Sequence, residues 1–276
     1  MPEGDTVYHQ ASALRAVLAG KFLESTQFRV PQYATADLSG ELVEEVLSRG
    51  KHLLIRAGET TIQSHLKMEG IWHVYPRRGV RWKRPGHTAR CVLNTAEHQA
   101  VGFSLGELHL MPRTSEDSFF ADLGPDLLGP DWDQDEARRR LQAQPERSLG
   151  VALLDQRNLA GIGNVFRSEI CFLSRLRPET PVGEVADLDS VLEMSYRLLQ
   201  VNKNRSRRAT TGSASTAISL WTYGRAGKLC LRCQTPIIRY YLGEEQLRQA
   251  AIEDRSVYVC PYCQPARDEL DWGELD

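Results

Sequence analysis

Four cysteines fall in two Cys-x2-Cys pairs, Cys230/Cys233 and Cys260/Cys263, with 26 residues between the pairs. Four thiolates at this spacing suit a tetrahedral structural Zn2+. A single Cys-x2-Cys pair can also serve redox chemistry, so a redox site is the alternative. With all four positions filled by sulfur, zinc here would hold a fold and leave no open position for catalysis. The seven histidines form no ligand motif, so no catalytic metal or organic cofactor is expected. Cys91 and Cys171 stand in apolar surroundings and read as buried thiols.

Pro2 and Glu3 open the chain after Met1. Removal of Met1 would expose the secondary amine of Pro2. An α-amine has a reference pKa near 8, so its free base is better populated at neutral pH than that of lysine. Such an amine can add to a sugar carbon and form a Schiff base, and Glu3 could donate or relay the proton. An ordinary processed terminus is the competing reading. The stretch from Leu153 to Phe172 contains Gly161-Ile162-Gly163-Asn164. It is not a dinucleotide fingerprint, because Phe166 stands where the last glycine should be and no strand precedes it. It reads as a helix, tight turns and a second helix from near Asn164. Asn164 could help bind a phosphate there or simply cap the helix. Lys51 stands at a strand start. Arg255 lies five residues before Cys260, where a metal-held hairpin would make it a phosphate clamp.

The elements that must carry these residues follow from periodicity. Val7, Ala11, Leu14, Val17 and Leu18 predict a helix over about 6–18, ended by Gly20. Alternating β-branched stretches then run to about residue 111 and predict two packed antiparallel sheets. FLESTQFRV reads as one of these strands. Residues 124–133, GPDLLGPDWD, read as a linker. Helical patterns follow in DEARRRLQAQ, SLGVALLD, VFRSEICFLSRL and DLDSVLEMSYRLLQVNKN. The expected fold class is multidomain α+β. Residues 1–123 form an N-terminal two-layer β-sandwich with a flanking helix, and 134–221 a helical domain with a helix–two-turn–helix. Residues 222–266 form a four-cysteine zinc-finger hairpin, and 267–276 an acidic tail.

Net charge is −2, so bulk charge offers no argument for nucleic acid. Its distribution does. Six Lys or Arg and no acid lie between Arg77 and Arg90, and seven with no acid between Val201 and Cys233. No apolar run reaches the length of a membrane span. The opening MPEGDTVYHQ lacks the features of a signal peptide, so a cytoplasmic protein without a membrane partner is expected.

In order along the chain, these pieces resemble the formamidopyrimidine-DNA glycosylase and endonuclease VIII family over nearly full length. The resemblance rests on Met1-Pro2-Glu3, on Gly50-Lys51-His52-Leu53 and on Leu154-Asp155-Gln156 through Asn164. It rests also on Tyr223-Gly224-Arg225-Ala226-Gly227 and on Arg255 through Cys260-Pro261-Tyr262-Cys263-Gln264. It implies a bifunctional DNA glycosylase and abasic-site lyase. Pro2 would attack C1′ of a damaged nucleotide and Glu3 would act as the acid. Lys51 would contact phosphate and assist proton transfers, while Asn164 and Arg255 would grip phosphates. β- and δ-elimination would follow on a flipped nucleotide. MPEGDTV and Thr210-Thr211-Gly212 look most like the actinobacterial endonuclease VIII type, which implies oxidised pyrimidines as substrates. Oxidised purines, or damaged-DNA binding without turnover, are the alternatives. Met68, Phe103 and Leu105 match positions that would fill the void in the helix. The implied partner is damaged double-stranded DNA, bound by a monomer in the cytoplasm and nucleoid. Three departures stand out. Thr6 replaces a frequent acid, Asp254 replaces the glycine before Arg255, and the separation of the cysteine pairs is longer than usual.

Overall fold

The computed structural model describes residues 2–212, 218–242 and 256–266. The chain divides into two compact units, Met1–Asp122 and Leu123–Asp276.

In the first unit, α1 (Gly4–Leu18) places Val7, Ala11, Leu14 and Leu18 on one buried side. Gly20 ends it in the left-handed region, at φ +74°. Two sheets follow. The first has the order β1 (Lys21–Phe22), β3 (Leu42–Arg49), β4 (His52–Ala57), β5 (Thr60–His65) and β9 (Glu107–Pro112). The second has the order β2 (Ser25–Phe28), β7 (Ala89–Asn94), β8 (His98–Phe103) and β6 (Ile71–Pro76). Period-two alternation gives each sheet one apolar inner face. Val46, Leu53, Ile55 and Ile62 from the first sheet meet Trp72, Cys91, Leu93 and Ala100 from the second in one core with α1. Each buried aliphatic side chain contributes about 1.5–3 kcal/mol. Arg15 locks α1 to the sheet by donating from Nε to the Val46 carbonyl at 2.6 Å.

The stretch expected as a single strand is two. Leu23, wholly buried, turns the chain between sheets: its N–H donates to Glu41 O, and the next N–H donates to Asn94 O. One uninterrupted strand could not pair with both β3 and β7.

β6 and β7 both lie antiparallel to β8, so they run parallel to each other. The chain leaves β6 at Pro76, opposite His98, and must travel the length of the sheet to start β7 at Ala89, opposite Phe103. This strap covers the outer face of the second sheet. A separate cluster of Tyr75, Val92, Val101 and Phe103 packs there under Trp82. α2 (Glu116–Phe119) closes the unit, tied to β4 by Arg56, which donates to Glu116 from Nε and Nη2.

The second unit contains α3 (Gln134–Gln142), α4 (Leu149–Ala152), α5 (Asn164–Leu173) and α6 (Leu188–Asn202). Asp133 and Asp187 cap α3 and α6 by accepting from Glu136 N and Ser190 N, both at 2.9 Å. The strands β10 (Ile238–Tyr241) and β11 (Ser256–Val259) pair antiparallel. Residues 124–133 are not a free tether. Gly124 N donates to Gln156 O and Ala160 N to Pro125 O, and Leu127 is fully buried in the helical core. The Pro and Gly content that suggests a linker here serves close packing, since a Cβ on Gly124 would lie 2.6 Å from the Asn158 carbonyl carbon.

Candidate active site and DNA-gripping elements

Pro2 is half-buried and directly precedes Glu3, whose side chain is fully buried. Glu3 is the extended residue that starts α1, with φ −125°, and its carbonyl accepts from Val7 N at 3.0 Å. The helix therefore begins two residues earlier than its apolar periodicity suggests, and its seating in the core fixes the base of Pro2. Asp5 follows, also buried, with Oδ1 accepting from Thr6 N at 2.7 Å. A carboxylate thus does stand in this first turn, one residue before the position where Thr6 departs from the family pattern.

Lys51 sits in the two-residue turn Gly50-Lys51, which joins β3 to β4 at the pair Arg49 and His52. Gly50 has φ +58°, the left-handed conformation that a tight hairpin turn demands. Next to this turn lies a group that the sequence does not advertise. His52 and His65 are cross-strand neighbours with rings 5.0 Å apart, and Phe120 covers His52 at 5.2 Å. Burial holds both imidazoles down to about 4. His52 is therefore neutral at pH 7, and its Nδ1 accepts from Gln63 Nε2 at 2.8 Å. His52, His65 and Glu107 share one row across three strands, an alignment set by strand pairing.

Of the three residues expected to fill the helix void, the structure exposes only Met68, at 52%. Phe103 is completely buried beneath Trp82, rings 5.5 Å apart, and Leu105 is 8% exposed in the main core. Apolar side chains that complete a core would have to leave it to enter a base stack.

In the second unit, α4, two turns and α5 form the expected helix–two-turn–helix. Gln156 knits the turns. Its Nε2 donates to the carbonyls of Leu154 and Ile162, and its Oε1 accepts from Gly161 N. Gly161, at φ +113°, turns the chain sharply. Asn164 is not the cap of α5; Gly163 holds that position. Asn164 is buried in the first turn, and its Nδ2 donates to Ser256 O on β11 at 2.9 Å. It therefore links the two-turn element to the residue that follows Arg255. Arg255 itself, the segment 243–254 and the acidic tail 267–276 lie outside the described residues.

A second group escaped the sequence reading. Glu169 is fully buried on α5. Its carboxylate accepts from the backbone N–H of Trp221, Thr222 and Tyr223 at 2.8–2.9 Å, and from the hydroxyls of Thr210 and Thr222.

The four cysteines converge. Their sulfurs lie within 4.8 Å of one another, with Sγ–Sγ distances of 3.9 Å for 230–263, 3.4 Å for 233–260 and 3.5 Å for 233–263. Tetrahedral zinc with four thiolates requires sulfurs about 3.8 Å apart, whereas a disulfide would need about 2 Å. The backbone N–H of Arg232 donates to Cys230 Sγ and that of Cys263 to Cys260 Sγ, as suits thiolates. The donor set fits a structural zinc held by Cys230, Cys233, Cys260 and Cys263. The module packs onto α5 through Phe172, stacked on Trp221 at 5.5 Å, with Arg232 over both rings.

Residues 1–106 match the family model for the formamidopyrimidine-DNA glycosylase N-terminal domain, and residues 123–201 match that for the formamidopyrimidine-DNA glycosylase H2TH domain. The DNA-(apurinic or apyrimidinic site) lyase Nei2 of Mycolicibacterium smegmatis is 48% identical, across 96% of this chain and all of that protein. The chain belongs to the formamidopyrimidine-DNA glycosylase and endonuclease VIII family. Endonuclease 8 2 of Mycobacterium tuberculosis is 45% identical, again across 96% of this chain and all of that one. A relative named formamidopyrimidine-DNA glycosylase, from Listeria innocua, is 27% identical over a similar span. The fold matches that of the Lactococcus lactis formamidopyrimidine-DNA glycosylase bound to DNA containing an abasic site. There the TM-score is 0.77, the identity 22% and the coverage 96% of this chain and all of that one. No helix among the described residues is long and apolar enough to cross a membrane.

Proposed function

We propose that the protein removes oxidised pyrimidines from duplex DNA and then cuts the backbone through a Schiff base on Pro2. It is a DNA glycosylase and abasic-site lyase of the endonuclease VIII type. With Met1 removed, the Pro2 nitrogen lone pair attacks C1′ of the lesion. The glycosidic bond breaks, its electron pair leaves with the base, and the base takes up the proton that the Pro2 nitrogen loses. Glu3 delivers a proton to the sugar ring oxygen as the ring opens to the iminium. The cationic iminium acidifies the C2′ proton. Loss of that proton expels the 3′ phosphate, and a second elimination expels the 5′ phosphate. Lys51 assists these transfers, and Asn164 and Arg255 hold phosphates. Met68 is the side chain left to enter the void behind the flipped nucleotide. The enzyme works as a monomer in the cytoplasm on nucleoid DNA.

The observation that carries this reading is the pairing of a half-buried Pro2 with a fully buried Glu3 at the start of α1. A surface terminus would have no need to bury an acid beside it. The preference for pyrimidines is supported by 45–48% identity to relatives of the endonuclease VIII type, against 27% to the purine-type relative. Single-turnover excision on matched duplexes tests it. Thymine glycol and dihydrouracil should be released at least tenfold faster than 8-oxoguanine. Faster release of 8-oxoguanine would overturn the assignment.

A further inference from the structure

The strap from Arg77 to Thr88 has a chemistry that neither the core nor the catalytic residues use. It carries Arg77, Arg78, Arg81, Lys83 and Arg84 and no acid. Arg77 has Glu24 at 3.9 Å, whereas Arg78, Arg81, Lys83 and Arg84 have no acidic partner among the described residues. The backbone beneath them is nonetheless fixed. Trp82 packs on Phe103 and donates from Nε1 to Gln99 Oε1 at 2.5 Å. Lys83 N donates to the Tyr75 hydroxyl at 3.0 Å, and Arg77 N to Glu97 O at 2.8 Å. Arg29 reaches across from the end of β2, its guanidinium 5.2 Å from the Trp82 ring centre and its Nη1 donating to Gly86 O. Beside Trp82 lies an open depression of about 660 Å³, walled by Arg81, Lys83 and Arg84.

A pinned strap with four unpaired cations is electrostatically costly. Like charges held close together repel, and a chain of net charge −2 has ample acid that could have been placed among them. The positive field is felt locally: after burial, Lys83 and Arg84 are the next influences holding His73 below the ordinary imidazole range. The strap lies on the outer face of the second sheet, opposite the inner face that packs with α1. Its cations are therefore separate from the elements that position Pro2 and Glu3. A rigid row of Arg and Lys matches the repeating charge of a phosphate backbone, and it loses little ordering entropy on binding.

We infer that the strap from Arg77 to Thr88 is an accessory phosphate-backbone site that extends the nucleic-acid footprint beyond the lesion. This rests on the proposed reading that the enzyme acts on DNA. It contributes affinity and salt dependence and no recognition of the damaged base. The phosphates belong either to the flank of the lesion duplex or to a second nucleic-acid strand.

The test compares the full-length protein with the Arg78→Gln, Arg81→Gln, Lys83→Gln, Arg84→Gln variant. A second variant, Arg78→Lys, Arg81→Lys, Arg84→Lys, keeps the charge. Binding is measured against salt on lesion duplexes of roughly 12 and roughly 30 base pairs, long enough to separate near from distant phosphate contacts. Neutralising four contacts should lower the slope of log K against log salt by about 3–4, while the Lys variant keeps the wild-type slope. Loss confined to the long duplex assigns the phosphates to its flank. If the neutral variant instead fails to hold a labelled single strand alongside a saturating short duplex, they belong to a second strand. Single-turnover excision on the short duplex at saturation should be unchanged. Equal slopes for wild type and neutral variant on both duplexes, with equal single-strand capture, would overturn the inference. Failure of wild type itself to bind or process lesion duplex would instead overturn the proposed function.

Discussion

Glu169 accepts from three consecutive backbone N–H groups that lead into the cysteine module, so one side chain fixes the chain's approach to Cys230. Glu169→Gln keeps the size but turns an N–H2 toward those donors. Leaving one or two buried groups unsatisfied should cost about 2–4 kcal/mol, read by urea unfolding. A change below about 0.5 kcal/mol would mean the network does not hold this loop. His52 and His65 make a different demand. Their folded pKa values, about 4, lie below the unfolded value of 6.5. The unfolded chain therefore binds protons first as pH falls. Stability is complete above about 6.5 and is lost as pH drops toward 4, by about 2–3 kcal/mol for each histidine. Urea midpoints at pH 7 and pH 4.5 measure this, and a His52→Gln, His65→Gln variant should flatten the dependence. An unchanged dependence in that variant would contradict it. Neither group was legible in sequence, because what makes each special is its burial. Pro2, Glu3 and Lys51 are proposed from residue type and position along the chain, which is information a sequence carries directly.

At the scale of elements, amphipathic periodicity located α1, α3, α5 and α6, and alternation located most strands. Topology was less legible. The corner at Leu23 and the strap after β6 depend on which strands pair, and pairing is non-local. Phe103 illustrates the cost: its alternation is that of a strand, yet only the course of the strap shows that Trp82 covers its outer face. The cysteine module was legible from spacing alone, and it makes a clean prediction. The chain has six cysteines, of which four converge and two, Cys91 and Cys171, are buried, with Cys171 pushed up to about 12. Thiol titration should find almost none reactive in the zinc-loaded protein, four after strong chelation and all six in denaturant. Metal analysis should give one zinc per chain, and its removal should abolish DNA binding by unfolding the cysteine module. Four reactive thiols in metal-replete protein would contradict a structural zinc.

The whole molecule is two compact units, one presenting the amine, acid and lysine, the other the two-turn element and the cysteine module. On the proposed mechanism this division suits the chemistry: covalent catalysis would need a rigid, partly enclosed terminus, and a flipped nucleotide would need donors fixed on a separate framework. The central claim concerns the terminus. Borohydride trapping of freshly purified, Met1-processed protein on a thymine glycol duplex tests it, beside a sample whose N-terminal amine is blocked and a Pro2→Gly variant. A covalent adduct should form with the native terminus and vanish on blocking, with partial trapping by the glycine variant because it keeps a primary amine. An adduct of undiminished yield from the blocked protein, or none from native protein that binds the duplex and carries its zinc, would contradict a Schiff base on Pro2.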